Sequence, residues 1–172
     1  MKSLVDHLSQ YATYHRDPRN IASHFIGIPL IMVAVAVLLS RPQWAGGWLS
    51  PAVLVSLASA WFYLRLELRL GVLMSVLLGL SIWAGQTLAQ QSTLIWLSSG
   101  IGMFVVGWVI QFVGHYYEGR KPAFIDDVTG LIVGPLFVVV ELMFLLGLRH
   151  DLKEQIEARA GGVRINPKRA AA

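Results

Sequence analysis

From Leu70 through Tyr117 the chain carries no Asp, Glu, Lys or Arg, and from Asn20 through Leu64 it carries only Arg41. A soluble fold of 172 residues would have to leave such stretches exposed as large apolar patches. Charged residues make up 14% of the chain, against roughly 25% in an ordinary soluble domain. These features exclude a secreted domain, a nucleic-acid reader and a disordered chain. They predict an all-α, polytopic transmembrane helical bundle. The formal charge of +4 gathers near the ends that flank apolar runs, which suits anionic lipid headgroups rather than nucleic acid. With no cysteine, a disulfide framework, a thiolate metal site and a thiol nucleophile are all excluded, so any metal is held by nitrogen and oxygen.

Ser3 to His15 reads as an amphipathic helix, with Leu4, Leu8, Tyr11 and His15 on one stripe. Asp17-Pro18 breaks it, because proline disfavours helical geometry in the residue before it. Asp6, His7, Arg16, Asp17 and Arg19 precede the first apolar run, a pattern unlike a cleaved signal peptide. Five apolar runs follow: Phe25 to Ser40, Leu49 to Leu64, Gly71 to Leu88, Leu94 to Gly114 and Val128 to Leu148. Five crossings would separate the termini, whereas the basic N-terminal segment, the Arg120-Lys121 loop and the C-terminal tail all favour the cytoplasmic side. Four full spans and one irregular segment reconcile the two, with Gly134-Pro135 as the place where the fifth run breaks. Residues 1–160 are expected as a single membrane domain and 161–172 as a disordered tail.

Three of the five histidines, His15, His24 and His115, stand where an apolar segment meets a polar one. If their segments share a side of the membrane, all three converge at one boundary, and neutral imidazole is the commonest metal ligand. In a continuous helix, residues nine apart point in opposite directions, at roughly 100° per residue. His15 and His24 therefore need the break at Asp17-Pro18 in order to meet. Glu118, three residues after His115, faces the same way if the helix continues, and Gln111 joins that face one turn earlier. The same placement also suits histidines that merely tolerate both phases.

Arg120 and Lys121 are candidates for holding a substrate carboxylate, with Arg better suited to bidentate pairing. Topology determination is the competing role. Asp126 and Asp127 suit ligation, pairing with the neighbouring bases, or capping of the fifth run. Glu141 lies deep in that run, where an unpaired carboxylate is costly. It is expected to orient a histidine, to pair with a buried base, or to act as a ligand. Phosphate-binding loops, dinucleotide fingerprints and nucleophile elbows are absent from the sequence.

Two segments, Tyr14 to Pro29 and Gln111 to Asp126, together with Gly134-Pro135 followed by Glu141, resemble the Mpo-type 2-hydroxy fatty acid dioxygenases. The resemblance runs from about Leu4 to Gly147. It implies an integral membrane enzyme dependent on Fe²⁺, with His15, His24 and His115 at the family's motif histidines. It also implies O₂ and a 2-hydroxy fatty acid as substrates, membrane lipids as surroundings, and the acid one carbon shorter plus CO₂ as products. Glu118, Arg120 and Glu141 are the expected catalytic residues beside the metal. The expected location is the bacterial inner membrane, or the endoplasmic reticulum for a eukaryotic chain. Ferrous iron suits imidazole and carboxylate ligands with open positions, and a 2-hydroxy carboxylate offers it two oxygens. A metal-dependent lipid hydrolase and a metal-binding membrane protein or transporter without turnover remain the alternatives. The scarcity of polar residues within the runs counts against a transport path.

Overall fold

The computed structural model describes residues 2–169. Seven α-helices follow in order: α1 (Leu4–Ala12), α2 (Pro18–Leu39), α3 (Pro51–Leu66), α4 (Leu68–Ala89), α5 (Thr93–Glu118), α6 (Gly130–Leu145) and α7 (His150–Ala160). The fold is all-α. Among the described residues extended pairing is limited to an isolated antiparallel bridge between Trp44 and Leu49. The chain divides into two compact units, one of residues Met1–Ile28 and Val109–Ala172 and the other of Pro29–Trp108.

Three helices, α2, α4 and α5, are long and apolar enough to cross a membrane. The run expected from Leu49 to Leu64 forms α3, whose 16 residues make about 24 Å of helix, short of a hydrocarbon core of about 30 Å. Gly134-Pro135 does not break the fifth run, which forms α6 straight through it. Pro135 is the sixth residue of α6 and removes one intrahelical hydrogen bond, yet the helix continues through it. Gly134 instead permits close packing, since a Cβ there would lie 2.9 Å from Tyr11 Oη and 3.0 Å from Ile28 Cδ1. The bend falls after α6. Gly147 takes φ 73°, Arg149 takes φ 58°, and α7 leaves at 118° to α6. Counting that bent pair as one span brings the number of candidate crossings to four.

In the second unit, α3 and α4 form a tight hairpin through Glu67. Gly71 makes it possible, because a Cβ there would lie 2.5 Å from the Leu64 backbone. Leu57, Trp61, Val76, Leu80 and Trp83 are exposed along these helices, as lipid-facing side chains would be.

In the first unit, Ser3 and Asp6 form a reciprocal cap at the start of α1. Leu8, Tyr11 and Ala12 of α1 are buried, as are Leu152 and Ile156 of α7 and Val133, Leu136, Phe137 and Val140 of α6. Arg159 of α7 bonds Asp6 at 2.6 Å. Residues 161–169, expected as part of a disordered tail, run back along the α1–α2 linker. Arg164 N donates to Arg16 O at 2.8 Å and Asn166 N to Asp17 Oδ2 at 2.9 Å. Residues 170–172 lie outside the described residues.

The close approach of α2 to α5 occurs at Gly114. A Cβ there would overlap Ser23 Oγ and come within 2.5 Å of Asn20 Oδ1. Gly114→Ala is therefore expected to cost about 1–3 kcal/mol through overpacking. A fall in the thermal midpoint, with the protein still inserted, is the measurement that checks it.

Candidate metal centre

α1 ends at Ala12, and residues 13–17 turn the chain before Pro18 restarts it as α2. Proline suits the first helical position, where its missing N–H is not needed. Asp17 Oδ1 accepts from Arg19 N at 2.9 Å and so satisfies one of the free donors of the new helix. This turn lets His15 and His24 face each other, as the sequence required. His115 enters from the end of α5, alongside His24.

The three imidazoles pack edge to face. Their ring centroids are 4.4 Å apart for His15–His24, 4.9 Å for His15–His115 and 5.3 Å for His24–His115. One ring nitrogen from each lies within 4.8 Å of the others. All three residues are buried. His15 stacks on Tyr11 with ring planes 5° apart, and Phe137 touches both rings.

Hydrogen bonds orient the rings. His15 Nδ1 donates to Tyr11 O at 2.8 Å, and His24 Nδ1 donates to Asn20 O at 2.8 Å. Each bond places the proton on Nδ1 and leaves Nε2 with a lone pair, the usual arrangement of a metal-ligating histidine. His15 Nε2 and His115 Nδ1 are buried with no hydrogen-bond partner among the described residues. Burial pushes His15 well below its ordinary pKa, and the neighbouring His24 and His115 push the same way. His15 is therefore neutral at neutral pH and able to ligate. A buried set of three imidazoles with unpartnered nitrogens fits a divalent transition metal. His15, His24 and His115 are the residues that could hold one.

Glu118 reaches across to the α1–α2 linker. Its Oε2 accepts from Arg16 N at 2.9 Å, Asp17 N at 2.8 Å and Asn20 Nδ2 at 3.1 Å. Asn20 Nδ2 also donates to Tyr14 O at 3.1 Å. Glu141 meets Arg16 rather than a histidine. The pair is 3.4 Å apart with both side chains buried, and Arg16 Nε donates to His15 O at 2.9 Å. Arg120 is exposed, and its Nη1 donates to Thr13 O at 2.8 Å. Lys121 pairs with Asp126 at 2.6 Å, and Asp126 also accepts from Tyr14 Oη. Asp127 Oδ1 accepts from Thr129 N, bracing the turn that leads into α6. The structure thus brings the three histidines together, brings Glu118 and Glu141 to the segment carrying His15, and leaves Arg120 at the surface.

Several contributors escape a reading of the sequence. Tyr11 supplies the face on which His15 stacks, although its stripe position marks it only as buried. Asn20 stands one turn before His24, a spacing that places its carbonyl at the ring. Asn166, whose Nδ2 donates to Glu118 O at 2.9 Å, lies in a segment with no sequence signal at all.

Comparison with known proteins bears on what such a centre does. The family model described as 2-hydroxy-palmitic acid dioxygenase Mpo1-like matches residues 1–146. The chain belongs to this family. The 2-hydroxy-palmitic acid dioxygenase MPO1 of Saccharomyces cerevisiae is 36% identical over 161 residues, which cover 91% of this chain and 90% of the yeast protein. No solved structure matches.

Replacing His15, His24 or His115 with Ala is expected to remove a metal that otherwise loads at about one ion per chain. Glu118→Gln is expected to weaken metal affinity by about 10–100-fold, as loss of an orienting group does. Metal analysis of purified protein after dialysis at graded free metal checks both. The buried Arg16–Glu141 pair gives a separate expectation. Glu141→Leu alone should cost about 3–5 kcal/mol by stranding Arg16, and Arg16→Met in the same chain should return most of it. Thermal unfolding of the single and double variants measures this.

Proposed function

We propose that this protein is an iron(II)-dependent dioxygenase that converts a long-chain 2-hydroxy fatty acid into the fatty acid one carbon shorter. The observation that carries this reading is the buried cluster of three histidines, two of them on membrane-length helices and the third on the linker that precedes one of these. The 36% identity to the yeast 2-hydroxy-palmitic acid dioxygenase supplies the substrate class.

The overall reaction balances without a cosubstrate. R–CH(OH)–COOH and O₂ give R–COOH, CO₂ and H₂O. The organic acid loses four electrons, and one O₂ takes up four. When bound, iron(II) supplies the one-electron chemistry that allows O₂ to react with a closed-shell acid. His15, His24 and His115 would hold it. Tyr11 and Phe137 wall the centre with rings and keep bulk water from it.

The remaining residues act through position and charge. Glu118 fixes the linker that carries His15 against the helix that carries His115. Glu141 neutralises Arg16, which in turn holds the His15 carbonyl. Arg120, exposed beside Thr13, attracts the incoming carboxylate at the membrane boundary. The acyl tail remains among the apolar helices, with the headgroup at their polar end. An integral membrane location follows, in the inner membrane of a bacterium or the endoplasmic reticulum of a eukaryote.

The test is direct. Purified protein given Fe²⁺, O₂ and 2-hydroxyhexadecanoic acid should release one CO₂ per shortened acid, with no 2-oxoglutarate, NADPH or flavin. Hexadecanoic acid should not react. Turnover under anaerobic conditions, or a requirement for 2-oxoglutarate, would overturn the mechanism and favour a metal-dependent lipid hydrolase or a different oxygenase.

A further inference from the structure

The histidine cluster accounts for two of the buried nitrogens that lack a partner, but a third group beside it stays unexplained. Gln111 is 4% exposed, and neither its Nε2 nor its Oε1 has a hydrogen-bond partner among the described residues. It stands one turn before His115 on α5. Residues so spaced share a helix face, with Cβ atoms about 5–6 Å apart. Gln111 therefore shares the α5 face that carries His115, one turn farther into the apolar helix.

Burying a primary amide with both ends unmade is costly, because its two N–H donors and carbonyl acceptor all lose water. Buried polar side chains in folded proteins are almost always partnered. Leu or Met would fill the same space without that cost. The position thus carries a group whose use lies outside the protein. A 2-hydroxy acid headgroup is the complementary shape: its hydroxyl donates, and the adjacent carboxylate accepts.

We propose that Gln111 is a substrate-binding residue that selects the 2-hydroxyl group, its Oε1 accepting from that hydroxyl and its Nε2 donating to the neighbouring carboxylate. The inference rests on the fatty acid reading of the site given above. An unsubstituted acid would satisfy Nε2 but leave Oε1 buried and unpaired, so the two effects offset. A site built to bond a substrate hydroxyl discriminates strongly against the analogue that lacks it.

The experiment compares affinities of metal-loaded protein for 2-hydroxyhexadecanoic acid and hexadecanoic acid without O₂, so that no turnover intervenes. Wild type, Gln111→Met and Gln111→Leu are measured, together with metal content and the thermal midpoint of the ligand-free protein. Wild type should prefer the hydroxy acid. In both variants that preference should fall by about tenfold, the scale of a single well-made hydrogen bond. Affinity for hexadecanoic acid should change by less than about threefold. Metal content should hold, and the thermal midpoint should stay level or rise, since an unpartnered amide has been removed.

An unchanged preference in the variants would overturn the assignment while leaving the fatty acid reading intact. Equal weakening of both acids with a lower thermal midpoint would make Gln111 structural, and so would failure of both variants to fold. Wild-type protein that binds both acids equally would overturn the assignment, and wild-type protein that binds neither would remove the fatty acid reading itself.

Discussion

One carboxylate oxygen fixes the turn on which the histidine cluster depends. Glu118 Oε2 takes hydrogen bonds from Arg16 N, Asp17 N and Asn20 Nδ2, joining the end of α5 to the break between α1 and α2. The break is needed, because His15 and His24 would otherwise point in opposite directions. It also frees backbone N–H groups in a buried turn, and such donors are costly if unpaired. A charged acceptor shared among three donors is about the strongest small device available for that task. Asn166 closes the other side, with its N–H on Asp17 Oδ2 and its amide on Glu118 O. Burial pulls the Asp17 carboxyl upward, but hydrogen bonds from Arg19 and from the Asn166 backbone outweigh it and hold it below the usual range.

With the turn fixed, the cluster it carries is unfavourable on its own terms. Two buried histidine nitrogens face one another's rings with no donor to meet them. Hydrogen bonds to Tyr11 O and Asn20 O hold two of the rings in orientations that do nothing for the free lone pairs. A stretch selected for stability alone would place apolar side chains there. The structure therefore spends packing and hydrogen bonding on nitrogen lone pairs that a bound cation would satisfy, as functional sites commonly do.

Much of this was legible beforehand, for reasons that differ from residue to residue. The charge-free runs announced the long helices because a bilayer tolerates few charges. Asp17-Pro18 announced the break because proline acts locally. Glu118, by contrast, was marked only by its spacing from His115. Its partners lie about a hundred residues away, and nothing local encodes them. Glu141 was expected to need a partner, and the alternative that held is the buried base Arg16. Gly134-Pro135 looked like a break because both residues disfavour helices, yet the glycine is explained by Tyr11 and Ile28 approaching from other segments. Long-range contacts overrode local propensity at Gly134-Pro135, and they supplied the distant partners of Glu118 and Glu141.

In the proposed function, the placement of the centre near helix ends suits the partition of a lipid substrate. Each buried CH₂ of an acyl chain is worth about 0.8 kcal/mol, so a long-chain acid stays in the bilayer and only its headgroup reaches the boundary. A site for that headgroup has to sit where apolar helix gives way to polar turn; His24 lies in the second turn of α2 and His115 in the last turn of α5. Arg120 is exposed, the three histidines are buried, and Gln111 is buried one turn farther into α5 than His115. Gln111 is uncharged, and an amide keeps hydrogen-bonding capacity there without the desolvation cost of an ion. In the proposed reaction that ordering lets a carboxylate be met by charge as it arrives and its hydroxyl be recognised by a neutral group once it is buried.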